Sequence, residues 1–195
     1  MKSKILMMIG SLLLIAAFFV PLWNIDLKAP QYPEGLGLYI HLNKIEGHKE
    51  GDLKSINGLN HYIGMKEINP ESIPELKIIP YFMYFMIISG LIISFFNKKW
   101  MKISWLGIFV IGGIVGLYDF YMWEYDYGHD LDPKAIIKIP GMSYQPPLIG
   151  SKQLLNFEAG SWPNLGFLII SISLILVIYS LYLDYKNEKI KPNNI

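Results

Sequence analysis

Residues 162–183 read WPNLGFLIISISLILVIYSLYL and contain no charged side chain. A transmembrane helix needs about 20 mainly apolar residues to cross roughly 30 Å of hydrocarbon, so this stretch is long enough to span a bilayer. Three more apolar runs lie at about 5–23, 78–96 and 103–123, and Asp119 is the one charged residue within them. The sequence therefore predicts a mainly α, polytopic membrane protein with four transmembrane helices.

The composition favours the same class. Hydrophobic residues make up 52% of the chain, and tryptophans stand near the ends of the apolar runs, as interfacial aromatics do. We expect a single membrane domain over residues 1–195, with the lipid bilayer as one partner. The net charge of +1 argues against nucleic acid as a partner. Because the chain has no Cys, a soft-metal site would have to use Met and His.

Lysine placement predicts the orientation of the spans, because cytoplasmic flanks retain positive charge. The flanking lysines form three groups on one side of the membrane: Lys2 and Lys4; Lys98, Lys99 and Lys102; Lys186, Lys189 and Lys191. We expect a bacterial inner-membrane protein with both termini in the cytoplasm and a tight turn between the second and third spans. The connections 24–77 and 124–161 would then face the outside.

The first apolar run resembles a secretory signal, since Lys2 and Lys4 precede it. Phe18-Phe19-Val20-Pro21 stands where a small-x-small cleavage site should lie. We therefore expect an uncleaved anchor.

The two outer segments are long enough to fold. Residues 36–45 alternate with period two and predict a strand in the first segment. Asn69-Pro70 has the pattern of a helix start, and Asp132-Pro133 repeats that pattern in the second segment. Three prolines predict an ordered loop over 140–150.

All the histidines lie in the outer segments, and two methionines, Met65 and Met142, lie there too. Thioether and imidazole together suit copper(I). In HYIGM, His61 and Met65 stand four residues apart. The full candidate ligand set is His61, Met65, Asp119, Met122, His129 and Met142. The alternative stays open that methionines fill gaps between helices and that the histidines are ordinary surface residues.

Asp119 is a second candidate, because a carboxylate inside a span is costly unless it is paired or wetted. On a helix Asp119, Met122, Trp123 and Asp126 share one face. The alternative is that the helix ends near Leu117 and the acids are interfacial.

A catalytic role has weaker support. His129 lies between Asp126 and Asp130, so it could act as a base oriented by an acid. No nucleophile motif, phosphate-binding loop or His-Glu-x-x-His pattern accompanies it. We do not expect an enzyme.

Four blocks of the sequence are distinctive: APQYPEGLG at 29–37, LNHYIGM at 59–65, YDYGHDLDP at 125–133 and PGMSYQPPLIG at 140–150. They resemble a family of small membrane proteins that accompanies nitrous oxide reductase and its copper-delivery factors in certain denitrifying bacteria. The resemblance covers most of the chain. It implies a part in periplasmic copper handling or reductase maturation, and it gives a copper context to the histidines and methionines within the blocks, which are His61, Met65, His129 and Met142.

Three hypotheses follow. The leading one is an accessory protein that binds copper(I) through Met and His at the outer face and passes it to a periplasmic copper protein or reductase. The second is a structural subunit that binds no metal and docks a partner such as a copper transporter. The third is a lipid or quinone site around Asp119.

Overall fold

The structure is a computed structural model that describes residues 2–190. It is mainly helical and contains one antiparallel sheet. The helices are α1 (Lys2–Leu13), α2 (Asp52–Ile63), α3 (Glu75–Phe96), α4 (Lys99–His129) and α5 (Leu165–Ile190). The strands are β1 (Trp23–Ala29), β2 (Tyr32–Ile40), β3 (Ile45–Gly47), β4 (Gly150–Leu154) and β5 (Phe157–Pro163). Short 3-10 turns cover Leu14–Phe18 and Pro70–Ser72.

Three helices, α3, α4 and α5, are long and apolar enough to cross a membrane. They form a bundle with α1, which packs against α3 and α5. Small residues allow close approach: Ser173 Oγ on α5 donates to the Gly10 carbonyl of α1 at 2.7 Å. Adding a Cβ at Gly10 would bring it within 3.1 Å of the Val177 side chain. Tight packing of small residues is how helices associate where no hydrophobic effect draws them together.

A buried lysine links the helices at one end of the bundle. Lys102 is fully buried, and its ammonium group donates to Asp184 Oδ2 at 2.7 Å. Lys102 Nζ also lies 2.6 Å from Ser3 Oγ and 3.0 Å from Ser180 Oγ, so α1, α4 and α5 meet at this point. The α3–α4 turn lies there too, since the side chain of Asn97 accepts from Lys102 at 2.7 Å. The predicted tight turn is confirmed, because Asn97 ends α3 and α4 begins at Lys99.

The other end of the bundle carries the sheet, whose strand order is β3-β2-β1-β5-β4. The central strand β1 pairs with β2 from the first long connection and with β5 from the second. The two segments predicted to lie outside therefore form one layer, which we call the sheet layer (residues 20–74 and 120–164).

The last turns of α4 belong to the sheet layer. At about 1.5 Å per residue this 31-residue helix is about 46 Å long, well beyond the roughly 30 Å of a hydrocarbon core. Phe120, Trp123 and Tyr127 pack on the apolar core that the sheet and α2 share. An open sheet cannot lie in hydrocarbon, because its edge groups would be unsatisfied. The segment from Phe120 onward therefore lies beyond the membrane-spanning part of α4.

Several predicted boundaries differ from the structure. The first predicted span, 5–23, is helical only to Phe18, and Trp23 begins β1. Trp162 lies in β5, so the last helix begins later than predicted, at Leu165. The third predicted span, 103–123, is the middle of the longer α4. The alternative that this helix ends near Leu117 is wrong.

The elements predicted for the two outer segments also differ from those in the structure. The predicted strand 36–45 divides into β2 and β3, with a turn between them. The start signal at Asn69-Pro70 opens only a 3-10 turn, in which Asn69 Oδ1 accepts from Glu71 N at 3.0 Å. The helix predicted after Asp132-Pro133 is wrong, because Asp132 Oδ1 closes a turn onto Lys134 N instead. The sequence does not predict α2, β1, β4 or β5.

Candidate functional site

Three of the predicted ligands lie on the exposed side of α4: Asp119, Met122 and His129. The His129 ring stacks on Tyr125 with centroids 4.0 Å apart, and its Nδ1 lies 2.9 Å from the Tyr125 carbonyl oxygen. Met122 and His129 are seven residues apart, which corresponds to about 10 Å along the helix axis. They share a face but cannot close around one ion while the helix is intact.

The other three predicted ligands come from different places. His61 is exposed on α2, and Met142 is half-buried in the loop before β4. Met65 lies just after α2 and lines an internal cavity. Within residues 2–190, no three His, Asp or Glu side chains gather as they would around a metal ion.

Asp119 lies at the junction of the bundle and the sheet layer. Its side chain is exposed and feels Coulomb repulsion from Glu75, the first residue of α3. Two carboxylates so placed favour a wet interface over contact with lipid chains.

The internal cavity, with a volume of about 70 Å³, lies between the apolar face of the sheet, α2 and the end of α4. Most of its lining is aliphatic, including Ile25, Leu38 and Ile56. The aromatic side chains of Trp123, Tyr127, Tyr144 and Phe157 complete the wall. This volume holds several water molecules or one end of a larger ligand.

Unpaired polar atoms face this apolar space. Glu124 is fully buried, and neither of its carboxyl oxygens has a hydrogen-bond partner. The Tyr144 hydroxyl and Trp123 Nε1 are also buried without partners. Each such group costs about 1–3 kcal/mol when nothing satisfies it. All three residues line the cavity, so what fills the cavity determines whether these costs remain.

Burial raises the pKa of Glu124 to about 8, because a carboxylate loses its hydration there. The nearby Ser161 hydroxyl opposes part of this shift. That hydroxyl donates to the Leu148 carbonyl oxygen at 3.1 Å and accepts from Trp23 Nε1 at 2.7 Å, so its proton is not available to the Glu124 carboxyl group. At neutral pH Glu124 is therefore a neutral carboxylic acid, which both donates and accepts hydrogen bonds.

The loop 140–147 closes the cavity. Tyr144 N donates to the Gly128 carbonyl oxygen of α4 at 2.9 Å, which holds the Tyr144 ring inside. Gly128 has to be glycine, since a Cβ there would lie 2.3 Å from Gln145 N. Glu124 and Gly128 stand four residues apart on one face of α4, so the acid and the loop contact lie one turn apart.

Two salt bridges join α4 to the segment that follows α2. Lys66 Nζ lies 2.7 Å from Asp126 Oδ2 and 2.9 Å from Asp130 Oδ2, and these carboxylates raise the Lys66 pKa. The lysine follows Met65 directly, so its two bridges hold the cavity-lining thioether near α4.

A second polar cluster lies on the opposite face of the sheet, around Asp26. Asp26 stands in the central strand between Gly37 of β2 and Gly160 of β5, so no side chain flanks it on either side. His48 covers Gly37, with Nδ1 3.7 Å from Asp26 Oδ1 and with Nε2 bonded to Asn24 Oδ1. A Cβ at Gly37 would lie 2.3 Å from the His48 ring. This glycine therefore makes room for the imidazole.

His41 is also buried, in the turn between β2 and β3. Its Nε2 lies 3.0 Å from Glu46 Oε1, but the two groups are not aligned as a hydrogen bond. Burial lowers the His41 pKa, and the nearby Glu46 carboxylate only partly opposes this. His41 is therefore a neutral packing residue more than an accessible ligand.

The sequence did not predict the cavity, nor Glu124 and Tyr144 as functional residues. Glu124 stands next to Trp123, where the predicted span ended, so it was placed among interfacial acids. The one local signal is the Glu124-x-x-x-Gly128 spacing on a helix that continues past the span. No protein-family model matches the chain, and no curated protein is similar to it. The resemblance to the family that accompanies nitrous oxide reductase therefore stays a prediction.

Proposed function

We propose that this protein is an accessory factor of the bacterial inner membrane that handles copper(I) at the outer face during maturation of nitrous oxide reductase. The observation that carries the proposal is that all four histidines, with Met65 and Met142, belong to the sheet layer. The lysine groups flank the opposite end of the bundle, except that Lys191 lies outside the described residues. Their separation from the histidines fits a protein whose chemistry is outside the cytoplasm.

The proposal includes a fourth span. Helix α1 and the 3-10 turn that follows it together cover residues 2–18. At about 1.5 Å per residue in α1 and about 2.0 Å in the turn, they reach about 28 Å, close to the thickness of the hydrocarbon core. Four spans put both termini in the cytoplasm and the sheet layer in the periplasm.

The exposed ligands suit transfer more than storage. Met122 and His129 stand on an open face of α4, and His61 is exposed on α2, so an incoming copper protein could reach each of them. Ligands that are separated along a helix hold an ion weakly and exchange it readily. We assign these three residues as transient ligands and Met65, a half-buried thioether in the cavity wall, as a further ligand.

The test is uptake of copper(I) by purified protein in competition with a chromogenic chelator. The wild type should take up copper(I), and the variants His61→Ala with Met65→Ala, and Met122→Leu with His129→Ala, should bind it at least tenfold more weakly. Met83→Leu with Met86→Leu is the matched control, because both thioethers are buried in the bundle. No uptake by the wild type, or equal uptake by all variants, would exclude the copper proposal.

One observation favours the docking hypothesis as a second candidate. Ile136, Ile137 and Ile139 are 69%, 44% and 43% exposed in a loop of the sheet layer, although apolar side chains outside a membrane are usually covered. The loop is fixed in place, since Ile137 N donates to the Tyr62 carbonyl oxygen at 2.9 Å. A rigid, exposed apolar loop fits a contact with a partner protein such as the reductase or a copper transporter.

Cross-linking in native membranes separates the two candidates. If the protein is a docking subunit, Ile136→Lys with Ile139→Lys should abolish a cross-link that survives replacement of all four histidines. If it acts through copper, loss of the histidines should abolish maturation of the reductase while the cross-link persists.

A further inference from the structure

The cavity beneath the sheet has the features of a binding site for a small molecule, and they are independent of the copper proposal. It is enclosed by elements far apart in the chain, from Ile25 on β1 to Ala159 on β5. Among its polar lining residues, Asn60 and Tyr127 bond to backbone carbonyl oxygens, whereas Trp123, Glu124 and Tyr144, from the end of α4 and the closing loop, have unpaired atoms. Each of the three is turned into an apolar space and has an atom without a partner.

The unpaired atoms define what the site would recognise. Trp123 Nε1 can only donate a hydrogen bond, while the Tyr144 hydroxyl and a neutral Glu124 can each donate one. Three donors facing one space suit an acceptor oxygen, such as a carbonyl. Glu124 is the one ionisable carboxyl group of the cavity wall, and burial holds its pKa at about 8, so a neutral ligand is favoured over an ionic one.

An aromatic chain connects the cavity with the bundle. Trp123 stacks on Phe120 at 6.2 Å, and Phe120 meets Trp23 edge-on at 5.4 Å. Trp23 in turn contacts Phe167 in the first turn of α5, with ring centroids 5.8 Å apart. These ring contacts place the cavity wall next to the apolar bundle, which favours a ligand that dissolves in the membrane.

We propose that this cavity binds a neutral, lipid-soluble molecule through a carbonyl oxygen, which accepts hydrogen bonds from Glu124, Tyr144 and Trp123. Two membrane components have this chemistry, a quinone and the ester group of an acyl lipid. The site differs from the predicted lipid or quinone site around Asp119, because Asp119 lies on the exposed side of α4.

The first experiment identifies the source. The full chain is purified in dodecyl maltoside, which has no carbonyl group, and is extracted with organic solvent for mass spectrometry. The wild type should retain a quinone or an acyl ester, and either result supports the site. Ala159→Leu, which fills the cavity, and Glu124→Leu, which removes the acid, should retain at least tenfold less. Glu158→Gln is the control, since this neighbour of Ala159 lies on the exposed face of β5.

The second experiment tests the chemistry with defined probes in a thermal unfolding assay. Decylubiquinone or methyl decanoate should raise the Tm of the delipidated wild type by about 5 °C at a hundredfold excess over Kd. Decane, which lacks the carbonyl, should give less than half of this shift. The Ala159→Leu and Glu124→Leu variants should show no shift with any probe.

Three outcomes would overturn the proposal. The wild type could retain no carbonyl compound and respond to neither probe, which would mean that the cavity holds only water. Decane could bind as well as the carbonyl probes, in which case the polar groups recognise nothing. Tetramethylammonium could bind in place of the neutral probes, which would make Glu124 an anionic partner of a cation.

Discussion

The buried acid of the cavity makes the stability of this protein depend on pH in a direction opposite to that of most carboxylates. The pKa of Glu124 is raised from 4.5 to about 8 in the folded protein. Below pH 4.5 the acid is neutral in both the folded and the unfolded chain and contributes no difference. As the pH rises above 4.5, the unfolded chain ionises first, so the folded state loses stability until the pH passes about 8.

The magnitude follows from the two pKa values. Their separation corresponds to about 5 kcal/mol in the free energy of unfolding. This stability is lost at about 1.4 kcal/mol per pH unit between the two pKa values. Glu124→Gln removes the titration but keeps a polar side chain of the same shape. The stability of the wild type relative to this variant should therefore fall steadily from pH 5 to pH 8 and then level off.

The assay is thermal unfolding in detergent between pH 5 and pH 9, followed by circular dichroism. For a chain of this length about 5 kcal/mol corresponds to a Tm difference on the order of 10 °C. Glu158→Gln is the matched control, because it makes the same change of side chain on the exposed face of β5, outside the cavity. Parallel curves for the wild type and Glu124→Gln would refute the reasoning, since they would mean that the acid is hydrated or paired.

Three further predictions concern the groups that hold the fold. Gly128→Ala should destabilise the protein by about 1–3 kcal/mol and speed hydrogen exchange at Tyr144, because the new methyl group displaces the closing loop; unchanged exchange would contradict this. Lys102→Met should lower the free energy of unfolding by about 3–5 kcal/mol, because it leaves Asp184 unpaired. Adding Asp184→Leu should restore most of that stability. Additive losses in a double-mutant cycle would show that the pair is not coupled. His41 has a lowered pKa, so the folded wild type should lose stability as the pH falls below about 6.5, and His41→Gln should flatten that decline in the same unfolding assay. If stability falls equally steeply with pH in the two proteins, His41 is hydrated in the folded state and the reasoning is wrong.

The three long apolar helices and their approximate limits could be predicted because hydrophobic length is a local property that sums along the chain. Where the prediction went too far, the reason is also physical. The uncharged run 5–23 continues past Phe18 through Pro21 to Trp23, and apolar content alone does not tell the end of a helix from the start of a strand. The tight turn between the second and third spans was also predicted correctly. The two apolar runs are separated by only a few residues, several of them lysines, so no longer connection fits between them.

The elements that were missed have weak local signals. Helix α2 contains Gly58 and begins after Gly51, which has a left-handed conformation, so its propensity is low and its stability comes from packing Ile56 on the sheet. Strand β4 reads GSKQL, and the last residues of β5 are Gly-Ser-Trp-Pro. Strand β5 forms because it pairs with β1 from Trp23 to Lys28, and β4 forms because it pairs with β5. Neither pairing can be predicted from the local sequence.

The sequence by itself determined that this chain has membrane-spanning helices, that lysines flank one end of them, and that its histidines lie in the connections. Only the tertiary structure decided which of those groups meet. It separated the predicted ligands, with Asp119, Met122 and His129 on α4 and the other three on α2, in the cavity wall and in the loop before β4. It also brought Glu124 and Tyr144 to Ile25 and Ala159, residues as many as 134 positions apart in the numbering. Hydrophobic length and charge bias act locally, whereas a cavity exists only where distant segments pack against each other and leave a gap. The burial that makes Glu124 a neutral acid is a property of that gap.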